Sequence, residues 1–69
     1  MNVWINTVFE GRYPVGTAAV VVASTRQAAA DLLNDELRAH DIPPRATPDQ
    51  FVRLRTDRAH ALVLCDGDY

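Results

Sequence analysis

Few residues in this 69-residue chain carry chemistry, and they fall in five places. The stretch Gly11-Arg12-Tyr13-Pro14-Val15-Gly16-Thr17 joins an arginine that can fork onto phosphate or carboxylate to a tyrosine that can stack on a base. Its two glycines permit close backbone approach. Arg12, Tyr13 and Thr17 are therefore candidates to hold a nucleotide-like anion, with the loop of a second protomer completing the pocket. The stretch lacks the glycine-lysine ending of a P-loop and leads into a strand, not a helix. The plainer reading, which the pattern favours, is a hairpin loop with its tyrosine on the core and its arginine in water.

Asp66 and Asp68, with Glu10, form a second cluster. They offer too few oxygen ligands in register for a calcium loop. They could instead pair with arginines of a partner protein, and Tyr69 beside them is a candidate aromatic anchor. A solvated tail is the plainer alternative. Glu36 and His40 are spaced to pair on one helix face, but no third group completes a catalytic set. His60 and Cys65, five apart on an expected strand, point to opposite faces and form no dyad. Arg53, Arg55 and Arg58 make a small basic cluster, flanked by Asp49 and Asp57 and with no aromatic residues between them. Without a nucleophile-base pair or a closed metal set, the sequence predicts a protein that is not an enzyme and that carries no metal and no cofactor.

The elements that position these residues follow from pattern. Met1 to Phe9 predicts a strand, with Val3, Ile5, Thr7 and Phe9 on one face and Trp4, Asn6 and Val8 on the other. Glu10 to Gly16 predicts a loop, and Thr17 to Ala23 a second strand. Ser24 with Gln27 three residues on predicts a capping box. The helix it opens runs to about Ala39 and turns Ala28, Ala29, Leu32, Leu33 and Leu37 to a core. Pro43-Pro44 lies beyond its end. Thr47-Pro48-Asp49-Gln50 is a second capping box with proline at its first turn, opening a short helix through Phe51, Val52 and Leu54. A third strand is predicted from Ala59 to Cys65.

The expected architecture is one α+β domain over residues 1–69, ordered β-β-α-short α-β. It has a three-stranded, mainly antiparallel sheet with one main helix packed on one face. The third strand is expected beside the first, antiparallel to it. Val20 and Val22, with Leu62 and Leu64, are then left on a sheet face that no helix covers, which makes them candidates for an oligomer interface.

Composition agrees with that expectation. Hydrophobic residues make up 48% of the chain, but ten of them are alanines, which bury little area each. A domain of this length buries only about 60% of the surface of its unfolded chain. One cysteine excludes an internal disulfide, so self-association is the expected source of extra burial. The net charge of −2 argues against nucleic acid as a partner and against an acidic DNA mimic. With no basic stretch ahead of an apolar run and no apolar run long enough to span a bilayer, a cytoplasmic protein without membrane partners is expected.

Two resemblances bear on function. The segments Val3–Phe9, Tyr13–Val22 and Leu64–Tyr69 resemble short, uncharacterised bacteriophage or prophage proteins. That resemblance implies a virus-encoded accessory protein that binds a host factor in the bacterial cytoplasm, inhibitors of antiviral defence being one such class. Ala23-Ser24-Thr25-Arg26-Gln27-Ala28-Ala29, with the helix after it and Ile42-Pro43-Pro44, is similar to HicB-like antitoxins. Those proteins carry a further strand before the helix, where this chain has one hairpin. The expected function is stoichiometric inhibition of a host protein by an oligomer. The alternatives are an oligomeric sponge for a nucleotide-like ligand and a HicB-like antitoxin or regulator.

Overall fold

The structure, a computed structural model, describes residues 1–11 and 16–64. Two strands of five residues, β1 (Asn2–Asn6) and β2 (Ala19–Ala23), pair antiparallel with Trp4 opposite Val21 and Ile5 opposite Val20. Helix α1 (Arg26–Ala39) follows, then a single 3-10 turn (Pro48–Gln50) and the two-residue strand β3 (Val52–Arg53). The strand order is β2-β1-β3 and every pairing is antiparallel, so the chain is a small α+β fold with one main helix.

Residues that face each other across an antiparallel pair share a face. Trp4, Val21 and Ala23 therefore look toward α1, while Ile5, Val20 and Val22 look away from it. Buried Trp4, Ala23, Ala29, Ala30, Leu33, Leu37, Ala46 and Phe51 form the core between helix and sheet. Arg26 closes one end of that core. Its guanidinium lies 5.2 Å from the centre of the Trp4 ring, and its Nε donates to the Phe51 carbonyl at 3.3 Å.

Several boundaries differ from the sequence expectation, each for a local reason. β1 ends at Asn6 and does not run to Phe9, because the Asn6 Oδ1 accepts the Val8 N–H at 3.0 Å and bends the chain two residues on. β2 begins at Ala19; ahead of it the Thr17 hydroxyl donates to the Phe9 carbonyl at 2.8 Å, closing the base of the intervening loop. The N-cap of α1 is Thr25, whose Oγ1 accepts the Ala28 N–H, and not Ser24. Gln27 accordingly makes no capping box and donates along the helix to Asp31. Leu32, expected in the core, is half exposed, since α1 turns Ala29, Ala30, Leu33 and Leu37 to the sheet.

The third strand is the largest correction. It is Val52–Arg53, while Ala59–Leu64 forms no strand. The Thr47–Gln50 segment makes one turn, with the Gln50 Oε1 accepting the Thr47 N–H at 3.2 Å. Phe51 then extends with its side chain in the core, which sets Val52 against Ile5 and Arg53 against Trp4. The Leu54 N–H continues the pairing onto the Val3 carbonyl at 2.8 Å. That edge of β1 is thus taken before the chain reaches Ala59.

Two further devices fix the connection from α1. Asn34 clamps Ala46 from both sides, its Nδ2 donating to the Ala46 carbonyl and its Oδ1 accepting the Ala46 N–H. At the end of α1 the Asp41 N–H donates to the Arg38 carbonyl and the Ile42 N–H to the Leu37 carbonyl. This is the Schellman pattern, with Asp41 in the left-handed region at φ 58.

Candidate functional site

The sheet exposes most of its apolar surface on the side away from α1. Val20 and Val22 are each 56% exposed and Val52 is 64% exposed. The alternation that gives Ala19, Val21 and Ala23 to the helix side must give Val20 and Val22 to the other. On the β3 side of the same face, Leu62, Val63 and Leu64 run beside Ile5, Thr7 and Val52. Together they line a groove of about 220 Å3. Leu62 and Val63 are exposed there, and Ile5 is buried.

A second apolar groove follows the outer edge of β2. Ala19–Val22 form one wall and Leu32, Leu33 and Glu36 of α1 the other, around about 450 Å3. Leu32 and Glu36 are four apart and occupy one flank of the helix, so its exposed leucine overhangs the sheet edge.

A polar hollow lies beyond β3, lined by Arg53, Arg55, Thr56 and Asp57 and enclosing about 380 Å3. Arg55 holds Asp57 through two hydrogen bonds, of 3.2 and 2.9 Å. His60 Nε2 lies 2.7 Å from the Arg55 carbonyl oxygen. The hydrogen bond from Arg55 holds the Asp57 carboxyl below its ordinary range, helped by the backbone hydrogen bond and by nearby Arg53. The aspartate thereby consumes the fork of one arginine in the cluster.

Of the residues the sequence singled out, Val20 and Val22 share the helix-free face, and Leu62 and Leu64 line the groove beside Ile5. Thr17 is half-buried, with its hydroxyl bonded to the Phe9 carbonyl. Arg12, Tyr13, Asp66, Asp68 and Tyr69 lie outside the described residues, as does Cys65. Glu36 and His40 pair at 3.2 Å on an exposed stretch of α1. Among the described residues there is no group of three or more metal-ligating side chains, and no helix is long and apolar enough to cross a membrane. No protein-family model, curated protein or solved structure matches the chain.

Sequence reasoning missed Val52, Val63 and Leu32 as surface groups. For Val52 a signal was present: Val52-Arg53-Leu54-Arg55 alternates with the period of a strand. Leu32 gave none, because its exposure depends on where α1 sits across the sheet.

Proposed function

We propose that the protein is a non-enzymatic binding protein that works as an oligomer and inhibits a host factor by stoichiometric binding. The observation that supports this reading is the apolar face opposite α1, where Val20, Val22, Val52, Leu62 and Val63 are all more than half exposed. Contiguous apolar surface on a small domain marks an interaction site. Burying one such aliphatic side chain is worth about 1.5–3 kcal/mol, so a partner that covers several gains a specific contact without a charged surface. The net charge of −2 fits that mode of recognition, which depends on shape. The resemblance to phage accessory proteins makes the partner a host protein of the bacterial cytoplasm, with antiviral-defence components as the class to search.

The test is affinity capture from lysates of bacteria that carry different defence systems, with wild-type protein and Val63→Asp side by side. A host protein retained at fixed stoichiometry by the wild type and lost by the variant is the expected result. Equal retention by both, or no specific retention from any host, overturns the reading.

A further inference from the structure

We propose that β2 is the seam of a two-fold dimer, in which two copies of this chain pair their β2 strands antiparallel, edge to edge. The inference rests on the self-association part of the proposed function and names where it occurs. The two edges of the sheet are unlike. β3 is two residues long, carries Arg53, and runs on to Arg55 and Arg58. A short strand bearing charge is a common way to blunt an edge against further pairing. β2 is five residues of alanine and valine at the opposite edge of the order β2-β1-β3. From Thr17 to Thr25 the chain contains neither proline nor an ionisable side chain, so nothing in its sequence guards that edge.

The same stretch fits itself. Thr17-Ala18-Ala19-Val20-Val21-Val22-Ala23-Ser24-Thr25 reads almost alike in both directions about Val21. A two-fold axis at Val21 sets Ala19 against Ala23 of the second copy, Val20 against Val22, and Thr17 against Thr25. Each side chain then meets one of its own size, and β-branched residues meet β-branched residues, which favours cross-strand packing. Charge makes the same point. A two-fold seam sets the residue on the axis, Val21, against its own counterpart, so a charge there would meet its like; Val21 is uncharged, as is every residue from Thr17 to Thr25.

Area says what else must take part. A stable dimer buries roughly 800 Å2 per partner, about a sixth of the 5094 Å2 surface of this chain. Main-chain pairing along one strand supplies direction and register, and the helix flank adds apolar area. Leu32, 51% exposed, overhangs the β2 edge across a groove of about 450 Å3. Pairing of the strands brings two such flanks together, with each groove taking the leucine flank of the other copy.

Light scattering on the eluting full-length chain, with sedimentation velocity across a concentration series, tests the proposal. The wild type is expected at the mass of two chains. Val20→Lys with Val22→Lys places lysine against lysine at both cross-strand positions; a folded single chain is expected, with Kd raised at least about tenfold. Val20→Glu with Val22→Lys sets glutamate against lysine at the same positions and is expected to restore the dimer. Leu32→Asp alters no strand residue and is expected to weaken the dimer as well, so it decides the matter if the lysine pair fails to fold. A wild type that remains a single chain, or a dimer that survives both the lysine pair and Leu32→Asp, overturns the proposal. A dimer lost by Val63→Asp but kept by the lysine pair also overturns it, placing self-association on the helix-free face. Capture of a host protein by Val63-dependent contact, with no dimer of the free chain, overturns the seam and leaves host binding standing.

Discussion

Asn6 is a buried polar side chain, fully enclosed, and it holds two parts of the fold in register. Its Nδ2 donates to the Gln50 Oε1 at 3.1 Å, and its Oδ1 accepts the Val8 N–H at 3.0 Å. The same Gln50 oxygen accepts the Thr47 N–H. One amide pair thus ends β1 and fixes the turn that delivers β3. Both hydrogen-bonding ends of Asn6 are used, which is why a polar group can sit there at all. Asn6→Leu removes both bonds and leaves the Val8 N–H without its partner. The expected loss is about 1–3 kcal/mol, read from the urea midpoint at constant m value. A loss under about 0.5 kcal/mol would show that these bonds add little beyond those the unfolded chain makes to water.

At the scale of elements, how an element ends governs the fold as much as its apolar pattern does. Helix α1 stops in a Schellman motif whose left-handed residue is Asp41, at φ 58, where glycine is the usual occupant. Aspartate tolerates that conformation better than most residues but still carries a Cβ. Asp41→Gly is expected to stabilise the fold by up to about 1 kcal/mol, and Asp41→Val to destabilise it by at least as much. Thermal unfolding of the two variants checks the ordering. The same scale explains what could be read from the sequence. β1, β2, α1 and the Thr47–Gln50 turn were legible because alternation, helical spacing and the Thr-Pro-Asp-Gln pattern are local signals. The third strand was not. Ala59–Cys65 is more apolar than Val52-Arg53, and pattern reading follows apolarity. Pairing instead goes to Val52-Arg53, because Phe51, buried in the core, sets Val52 beside β1. The candidate surface divides in the same way: strand alternation gave Val20 and Val22, whereas the exposure of Leu32 depends on the placement of α1 over the sheet.

For the whole molecule the decisive quantity is how little a 69-residue chain encloses. Among the described residues nine hydrophobic side chains are buried, and four of them are alanines, Ala23, Ala29, Ala30 and Ala46. Larger apolar groups, among them Val20, Val22, Leu32, Val52, Leu62 and Val63, stay in contact with water. A fold of this kind gains stability when association covers what folding leaves exposed. The midpoint of thermal unfolding is therefore expected to rise with protein concentration across about a hundredfold range, as mass action requires of a native state that associates and an unfolded state that does not. A midpoint independent of concentration would show that the single chain carries all of its own stability.

The unequal edges of the sheet carry a last consequence. A strand that pairs with its own copy uses up the surface by which it pairs, so the assembly is complete at two chains. What then faces outward at both ends is β3, two residues long and bearing Arg53. Neither end offers a template for another strand, so the chain can double without growing into a filament. An unguarded Ala-Val strand is an aggregation hazard wherever both sides of a sheet are open. In the proposed dimer the arginine-capped rim would limit that hazard to one self-terminating step.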